Sequence, residues 1–379
     1  MTNVSDGDGA ELPRATAGQP AVALEALGVA VSAGVPVVLW GSPGTGKTSA
    51  VVALSEALGW PAEVVIGSIR EPSDFAGLPV VEGGTVRLAA PAWARRLADA
   101  GRGLLFLDEL TTAPPAVQAA MLRIVLERVV GDIKLPPQVR VVAAANPPGE
   151  AADGWDLAPP LANRLVHLDW TVDAKQVAQG MAAGFPQPSF LLPDEPVDAT
   201  HRAVAKTAVA AFLQARPELV LQVPAGVTAA SRGWPSPRSW EAVATLLGAC
   251  DNAKATSEVL EALVVGAVGE GPGIEFLSWL ADSDLPDPEA VLDAPDEFTL
   301  PSRSDRAFAV LTAVVALAVA RGDEQSWTAA WIVVGRAAES TPDVAALVAR
   351  KLASHRPKGA ALPVQITQLL PVLRAAGLL

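Results

Sequence analysis

The stretch that decides the fold is residues 37–48, Val-Val-Leu-Trp-Gly-Ser-Pro-Gly-Thr-Gly-Lys-Thr. Its first four residues belong to an apolar run at 36–40 that is typical of a buried strand. The rest fits G-x-x-x-x-G-K-[ST], a pattern whose glycines let backbone N–H groups point at phosphate oxygens. Lys47 can reach the β- and γ-phosphates, and the Thr48 hydroxyl can bind Mg²⁺. The predicted nucleotide-binding residues here are Gly41, Ser42, Pro43, Gly44, Thr45, Gly46, Lys47, Thr48 and Ser49.

Apolar runs and helical patterns alternate around this stretch. Strands are expected at 36–40, 62–66, 104–107, 139–145 and 165–170. Helices are expected at 49–58, 92–100 and 115–129. The strands are apolar throughout, as in a parallel sheet that is covered on both faces. The pattern therefore predicts a three-layer α/β domain with a five-stranded parallel sheet.

A β-hairpin interrupts the alternation after the second strand. Residues 78–88 contain two short apolar runs around Glu82-Gly83-Gly84, a glycine turn typical of hairpins. Phe75, in the segment just before the hairpin, is a candidate apolar side chain for gripping another protein.

The second half of the chain is predicted to be helical. A Pro-rich linker at 185–196 precedes helices expected at 201–215, 238–250, 255–267, 274–280, 305–320, 324–338, 342–354 and 365–376. The glycine-rich stretch 266–273 is interpreted as a connector between helices. Trp327 and Trp331 share one helix face and fit either a core or a partner-binding patch.

Composition narrows the class of protein. The chain has 379 residues, 50% of them hydrophobic and 18% charged, enough apolar material for two or three domains. A single cysteine, Cys250, excludes an internal disulfide and a multi-cysteine zinc site. The net charge of −13 opposes nonspecific binding to nucleic acid or anionic lipid.

The location is expected to be cytoplasmic. The first twenty residues lack the basic start and apolar stretch of a signal peptide. The apolar run at 307–320 is shorter than the roughly 20 residues that a membrane-spanning helix needs.

Two acids follow the strand at 104–107. Asp108 and Glu109 come directly after this strand, at the sheet edge where open α/β sheets bind ligands. Asp108 is predicted to hold Mg²⁺ together with Thr48, and Glu109 to orient or deprotonate an attacking water. No N/T-K-x-D motif for guanine is present in the sequence, which favours ATP over GTP.

From about residue 20 to 250 the sequence resembles the AAA+ ATPases, and within them the MoxR-like group. The resemblance rests on the motifs at 41–48 and 104–109, on the hairpin insert, and on three short motifs. These are Ala144-Ala145-Asn146-Pro147, Leu161-Ala162-Asn163-Arg164 and Ser236-Pro237-Arg238. The resemblance implies a core at 20–185, a helical lid at 186–300 and further helices at 301–379, after a disordered segment at 1–19.

The resemblance also implies roles for three more residues. Asn146 would be the polar residue that helps Glu109 position water. Arg164 would be an arginine finger that reaches the γ-phosphate of a neighbouring subunit. The family often has an acid before this arginine, where the chain has Asn163. Arg238 would contact nucleotide from the lid, and a cation in a helix's first turn is otherwise unfavourable.

The implied function is an ATP-hydrolysing, ring-forming chaperone that remodels, activates or assembles a partner protein. The cofactors would be ATP and Mg²⁺, the ring would be hexameric, and the partner could carry a von Willebrand factor A domain. The alternatives are a chelatase-like or nucleic-acid-acting AAA+ subunit, a non-hydrolysing scaffold that binds nucleotide, and a P-loop kinase.

Overall fold

The computed structural model describes residues 19–147, 150, 154–193, 195–282, 286–361, 363–365 and 369. The segment expected to be disordered, apart from its last residue, and nearly all of the helix expected at 365–376 lie outside these residues.

Nine strands occur among the described residues. They are β1 Val37–Trp40, β2 Ala62–Ile66, β3 Leu78–Glu82, β4 Thr85–Ala89, β5 Arg102–Asp108, β6 Val129–Val130, β7 Ile133–Lys134, β8 Gln138–Ala145 and β9 Val166–Asp169. Five of them form a parallel sheet in the order β2-β5-β8-β1-β9. The predicted α/β class and five-stranded parallel sheet are confirmed.

The helices fall into three groups along the chain. Those within or before the sheet region are α1 Gln19–Ala33, α2 Lys47–Leu58, α3 Ser73–Ala76, α4 Ala92–Ala100, α5 Pro115–Glu127 and α6 Pro159–Ala162. The next are α7 Ala174–Ala183, α8 Ala199–Ala215, α9 Val227–Ala230, α10 Pro237–Ala253, α11 Ser257–Val268 and α12 Glu270–Asp282. The last are α13 Pro288–Asp293, α14 Ser304–Arg321, α15 Glu324–Ser340 and α16 Pro342–Ser354. Single 3₁₀ turns lie at Gly67–Ile69 and Pro217–Leu219.

The central strands β1, β5 and β8 divide their side chains between two cores, whereas the edge strand β2 leaves Val64 and Ile66 40% and 36% exposed. In β1, Val37 and Leu39 enter the core beneath α1, α2, α10 and α11, whereas Val38 and Trp40 enter the core beneath α3, α4 and α5. Successive side chains of a strand point to opposite faces, so a strand covered on both faces must be apolar throughout. This explains why the central strands consist of continuous apolar runs, whereas the edge strand β2 contains Glu63 and, contrary to expectation, is not covered on both faces.

The register brings the carboxyl ends of the strands to one edge of the sheet. Trp40 pairs with Ala145 of β8, and Asp108 pairs with Ile66 of β2. The residues that follow β1, β5 and β8 therefore meet at this edge, which is where such sheets bind ligands.

Strands β3 and β4 form the predicted hairpin. Its two-residue turn, Gly83-Gly84, has positive φ angles of 58° and 81°, as in the turns that match strand twist. The expectation that Phe75 is an exposed grip is wrong. This side chain is only 1% exposed and packs edge-to-face on Trp93, because α3 turns its apolar residue toward α4.

The C-terminal half is helical, as predicted, but the glycine-rich stretch differs from its interpretation as a connector. Residues 266–273 are not a loop, because α11 runs to Val268 and α12 starts at Glu270, so Gly269 alone breaks the helix. Trp327 and Trp331 are at most 1% exposed, so both belong to a core rather than to a partner-binding patch. No helix within the described part of the chain is long and apolar enough to cross a membrane.

Candidate nucleotide site

The loop 41–48 connects β1 to α2 at the ligand-binding edge of the sheet. Gly44 and Gly46 have φ angles of 77° and 86°, in the left-handed region that favours glycine. Gly46 is the N-cap residue directly before α2. The backbone N–H groups at the start of this helix face an anion site, because no helical carbonyl precedes them.

Neighbouring strands hold this loop in place. The Gly41 N–H donates to the carbonyl of Ala145 at 3.1 Å, and Trp170 Nε1 donates to the carbonyl of Thr45 at 3.0 Å. A Cβ on Gly41 would lie 2.4 Å from the carbonyl oxygen of Trp170, so glycine is required for this close approach. Trp170 is a structural support of the loop that the sequence motif does not reveal.

Lys47 lies at the base of the loop and is only 8% exposed. Its Nζ donates to the carbonyls of Gly41 at 2.6 Å and Ser42 at 2.9 Å, and to Asn146 Oδ1 at 3.4 Å. Burial lowers the pKa of Lys47 below its usual value, while the nearby charge of Asp108 acts in the opposite direction. The ammonium thus lies between the loop and the end of β8.

Thr48 and Asp108 form the candidate Mg²⁺ site. The Thr48 hydroxyl donates to Asp108 Oδ2 at 2.9 Å, and the other carboxylate oxygen accepts from the Glu109 N–H at 2.9 Å. Mg²⁺ prefers oxygen ligands and uses one or two protein groups beside phosphate and water. The donor set fits this cation. Among the described residues, no group of three or more His, Cys, Asp or Glu is placed to hold a metal ion.

Glu109 adopts a backbone conformation that is rare for its residue type. Its φ is 58°, and such outliers concentrate at functional sites. Its Oε2 accepts a hydrogen bond from the Ser68 hydroxyl, and its carbonyl accepts from the N–H of Thr112 at 3.1 Å. Ser68, in the turn after β2, is a site residue that the sequence analysis missed.

Asn146 follows β8 and lies beside Lys47. Its N–H donates to the Thr111 hydroxyl at 3.1 Å, and that hydroxyl lies 3.2 Å from the Asn146 carbonyl, to which it donates. Thr111 is only 3% exposed and was also missed, since its contact with Asn146 crosses between two loops. Lys47, Thr48, Asp108, Glu109 and Asn146 thus meet at one edge of the sheet.

Arg164 and Arg238 form a second group. The pKa of Arg164 is lowered, first by burial and then by the positive charge of Arg238. Arg164 Nη1 donates to the Pro160 carbonyl. Within the described residues, neither guanidinium hydrogen-bonds to the loop 41–48 of its own chain.

The motif Ser236-Pro237-Arg238 forms the start of α10. Ser236 caps the helix in a reciprocal pair with Ser239, Pro237 is the first helical residue, and Arg238 lies exposed in the first turn. The adjacent Asn163 is buried and contacts this turn.

His167 has a structural role. Its Nδ1 accepts from Trp40 Nε1 at 2.8 Å, which leaves Nε2 to donate to the carbonyl of Ala162 at 3.0 Å. Burial lowers the pKa of His167 to about 4, so the ring is neutral at pH 7. This side chain connects the strand before the loop to the turn that carries Arg164.

Comparisons with known proteins agree with this geometry. Residues 36–165 match a family model described as an AAA domain of the dynein-related subfamily. A curated protein of Pantoea stewartii subsp. stewartii, the pathogenicity locus probable regulatory protein WtsA, is 32% identical over 121 residues. This segment is 30% of the present chain and 38% of WtsA, so the chain spans less than half of that relative.

A solved structure from Cytophaga hutchinsonii, described as that of a candidate ATPase, is 16% identical with a TM-score of 0.41. The similarity covers 64% of this chain and 79% of that one. Residues 36–165, which contain the loop 41–48 and the five-stranded parallel sheet apart from its strand β9, thus resemble an AAA domain.

Proposed function

We propose that this protein is an ATP-hydrolysing, ring-forming chaperone of the MoxR type that remodels, activates or assembles a partner protein. One observation carries the proposal: Lys47, the Thr48–Asp108 pair and Glu109 meet at the ligand-binding edge of the sheet. This group supplies a phosphate contact, a metal site and a general base in one place, which are the parts that phosphoryl transfer needs.

The loop and Lys47 would bind the triphosphate. Backbone N–H groups of the loop and of the first turn of α2 would donate to phosphate oxygens. The Lys47 ammonium would exchange the carbonyls of Gly41 and Ser42 for the β- and γ-phosphates. Thr48 and Asp108 would hold Mg²⁺, which when bound neutralises charge on the phosphates.

Glu109 would accept the proton of the water that attacks the γ-phosphorus, as the bond to the ADP oxygen breaks. Asn146 lies at the neighbouring strand end and would orient that water through its side-chain amide. The Thr111 hydroxyl fixes the Asn146 backbone and would thereby position this amide.

The arrangement of Arg164 and Arg238 favours a site that is completed between subunits. Asn163 joins the segments that carry Arg164 and Arg238, and both arginines would serve the nucleotide of a neighbour in a homo-oligomeric ring. Six subunits are expected from the resemblance. There Arg164 would offset charge in the transition state.

The hairpin β3–β4 would contact the client protein. On one of its faces Val81 pairs with Val86 and Pro79 pairs with Leu88. Val81 and Val86 are 75% and 69% exposed. Exposed apolar surface of this kind is typical of sites that bind other proteins. A partner with a von Willebrand factor A domain remains part of the proposal, as do a cytoplasmic location and the division at about residues 185 and 300.

The test is ATP hydrolysis measured over a wide range of protein concentration. We expect specific activity to rise steeply as subunits assemble. Arg164→Ala and Glu109→Gln should each be inactive alone, but their mixture should regain activity, because a Glu109 of one subunit can then meet an Arg164 of the other. Arg123→Ala, which removes an exposed ion pair with Glu127, is the matched control and should behave like the wild type.

Other outcomes identify the alternatives. A constant specific activity with no recovery in the mixture would indicate a self-contained ATPase and would remove the ring. ATP binding without turnover under any condition would support the scaffold. Strong, salt-sensitive DNA binding would favour the nucleic-acid-acting subunit.

A further inference from the structure

The turn that carries Arg164 is hydrogen-bonded to the start of α10 by one buried side chain. Asn163 Oδ1 accepts from the Ser236 hydroxyl at 2.7 Å, and Asn163 Nδ2 donates to the carbonyl of Trp234 at 2.9 Å. Asn163 and Ser236 are each only 5% exposed. Buried polar groups need partners, so these bonds define how the turn and the helix fit together.

The chemistry explains why an amide occupies this position. An asparagine side chain both donates and accepts, and both capacities are used here. An ionised aspartate only accepts, so it would face the carbonyl of Trp234 without a proton to donate. The family often has an acid at this position, where the chain has Asn163. Its partners in this fold, the Trp234 carbonyl and the Ser236 hydroxyl, use both the donor and the acceptor of an amide.

The two arginines flank this connection. Arg164 follows Asn163 directly, and Arg238 lies two residues after Ser236. Like charges repel, and the positive charge of Arg238 contributes to the lowered pKa of Arg164. Arg164 Nε is buried without a hydrogen-bond partner in the described part of the chain. The Asn163 amide joins the two segments that carry these cations.

We propose that Asn163 is a positioning residue that locks the Arg164 turn to α10, so that Arg164 and Arg238 act as one anion-binding pair. The proposal rests on the proposed function, since the anion is the phosphate of the ATP that the ring hydrolyses. Asn163 itself touches neither substrate nor metal. It acts only through the distance and orientation of the two guanidinium groups.

The experiment compares steady-state ATP hydrolysis by Asn163→Ala with the wild type at saturating protein concentration. We expect kcat to fall about tenfold or more, because a misplacement of about 1 Å can cost up to a hundredfold in rate. The KM for ATP should stay within about twofold, since the phosphate loop is untouched. Asn252→Ala, at the far end of α10, loses a bond to the Glu195 carbonyl and should keep the wild-type kcat.

A background without Arg238 separates positioning from general structural damage. In Arg238→Ala there is no pair to hold, so adding Asn163→Ala should change kcat by less than about twofold. A full tenfold loss in this background would overturn the proposal, as would a wild-type kcat for Asn163→Ala.

Ser236 gives a second route to the same bond if Asn163→Ala does not fold. Ser236→Ala removes the hydroxyl and should lower kcat, whereas Ser236→Thr keeps a hydroxyl and should retain it. Equal rates for these two variants would contradict the proposal. Failure of the proposed function is visible separately, because the wild type itself would then lack ATP turnover or show full activity after loss of Arg164.

Discussion

Ser68 donates a hydrogen bond to the carboxylate of Glu109, although the two residues are 41 positions apart. Ser68 lies in the 3₁₀ turn after β2, and Glu109 follows β5, the strand that pairs with β2. The same segment of chain leads through α3 into the hairpin. Glu109, the proposed general base, therefore contacts the segment that leads into the hairpin β3–β4, the proposed client-binding element.

Replacing Ser68 with Ala should raise the basal rate of ATP hydrolysis by about threefold. The Ser68 hydroxyl donates a hydrogen bond to one carboxylate oxygen of Glu109. Without this bond that oxygen is free to accept a proton from water. The measurement is kcat without client, with the exposed Ser257→Ala as control. A large fall in kcat would mean instead that Ser68 holds Glu109 in its productive orientation.

Replacing Glu109 with Gln should abolish turnover while leaving ATP binding intact. Glutamine keeps the size of the side chain but cannot accept a proton, and general-base catalysis contributes about 10²–10⁴ in rate. We expect ATP affinity within about twofold of the wild type by titration calorimetry. If ATP affinity collapsed, Glu109 would belong to the binding site rather than to the hydrolytic step.

Replacing Gly41 with Ala should weaken ATP binding at least about tenfold, because the new Cβ would lie 2.4 Å from the Trp170 carbonyl and displace the loop. Gly59, at the end of α2, is the matched control. Its φ is 62°, and a Cβ there would meet nothing within 4 Å. Gly59→Ala should cost about 1 kcal/mol of stability and leave ATP affinity unchanged.

Replacing Phe75 with Ala should destabilise the fold by about 3–5 kcal/mol, because the ring is fully buried against Trp93. By contrast, Val81→Ser with Val86→Ser alters side chains that are mostly exposed, and should leave stability nearly unchanged. Chemical denaturation measures both. If client binding depends on the hairpin, only the double serine variant should lose client-stimulated hydrolysis at normal stability.

Acid should destabilise the protein through His167. In the unfolded chain the His167 ring takes up a proton near pH 6.5, whereas in the folded chain burial lowers its pKa to about 4. The folded state is thus favoured fully above pH 6.5, and about 3 kcal/mol is lost as the pH falls to about 4. Urea denaturation between pH 7.5 and 4 should show this loss. His167→Gln should reduce the slope, and an unchanged slope would contradict the assignment.

The sequence by itself determined the sheet and the centre of the site. The apolar runs and the loop 41–48 could be recognised from the sequence because their geometry restricts residue type. Strands that are buried on both faces require apolar residues, and left-handed backbone conformations favour glycine. Asp108, Glu109 and Asn146 could be grouped from sequence, since parallel strands end at a common edge. The register of β1, β5 and β8 brings them together as expected.

Only the tertiary structure decided which residues support that centre. Ser68, Thr111, Trp170 and Asn163 act through contacts with residues distant in sequence, and no local pattern marks such partners. The burial of Phe75 likewise depends on where α4 packs. Local sequence specifies strands and turns because their backbone geometry limits the residues allowed, whereas the partner of a side chain is set by packing.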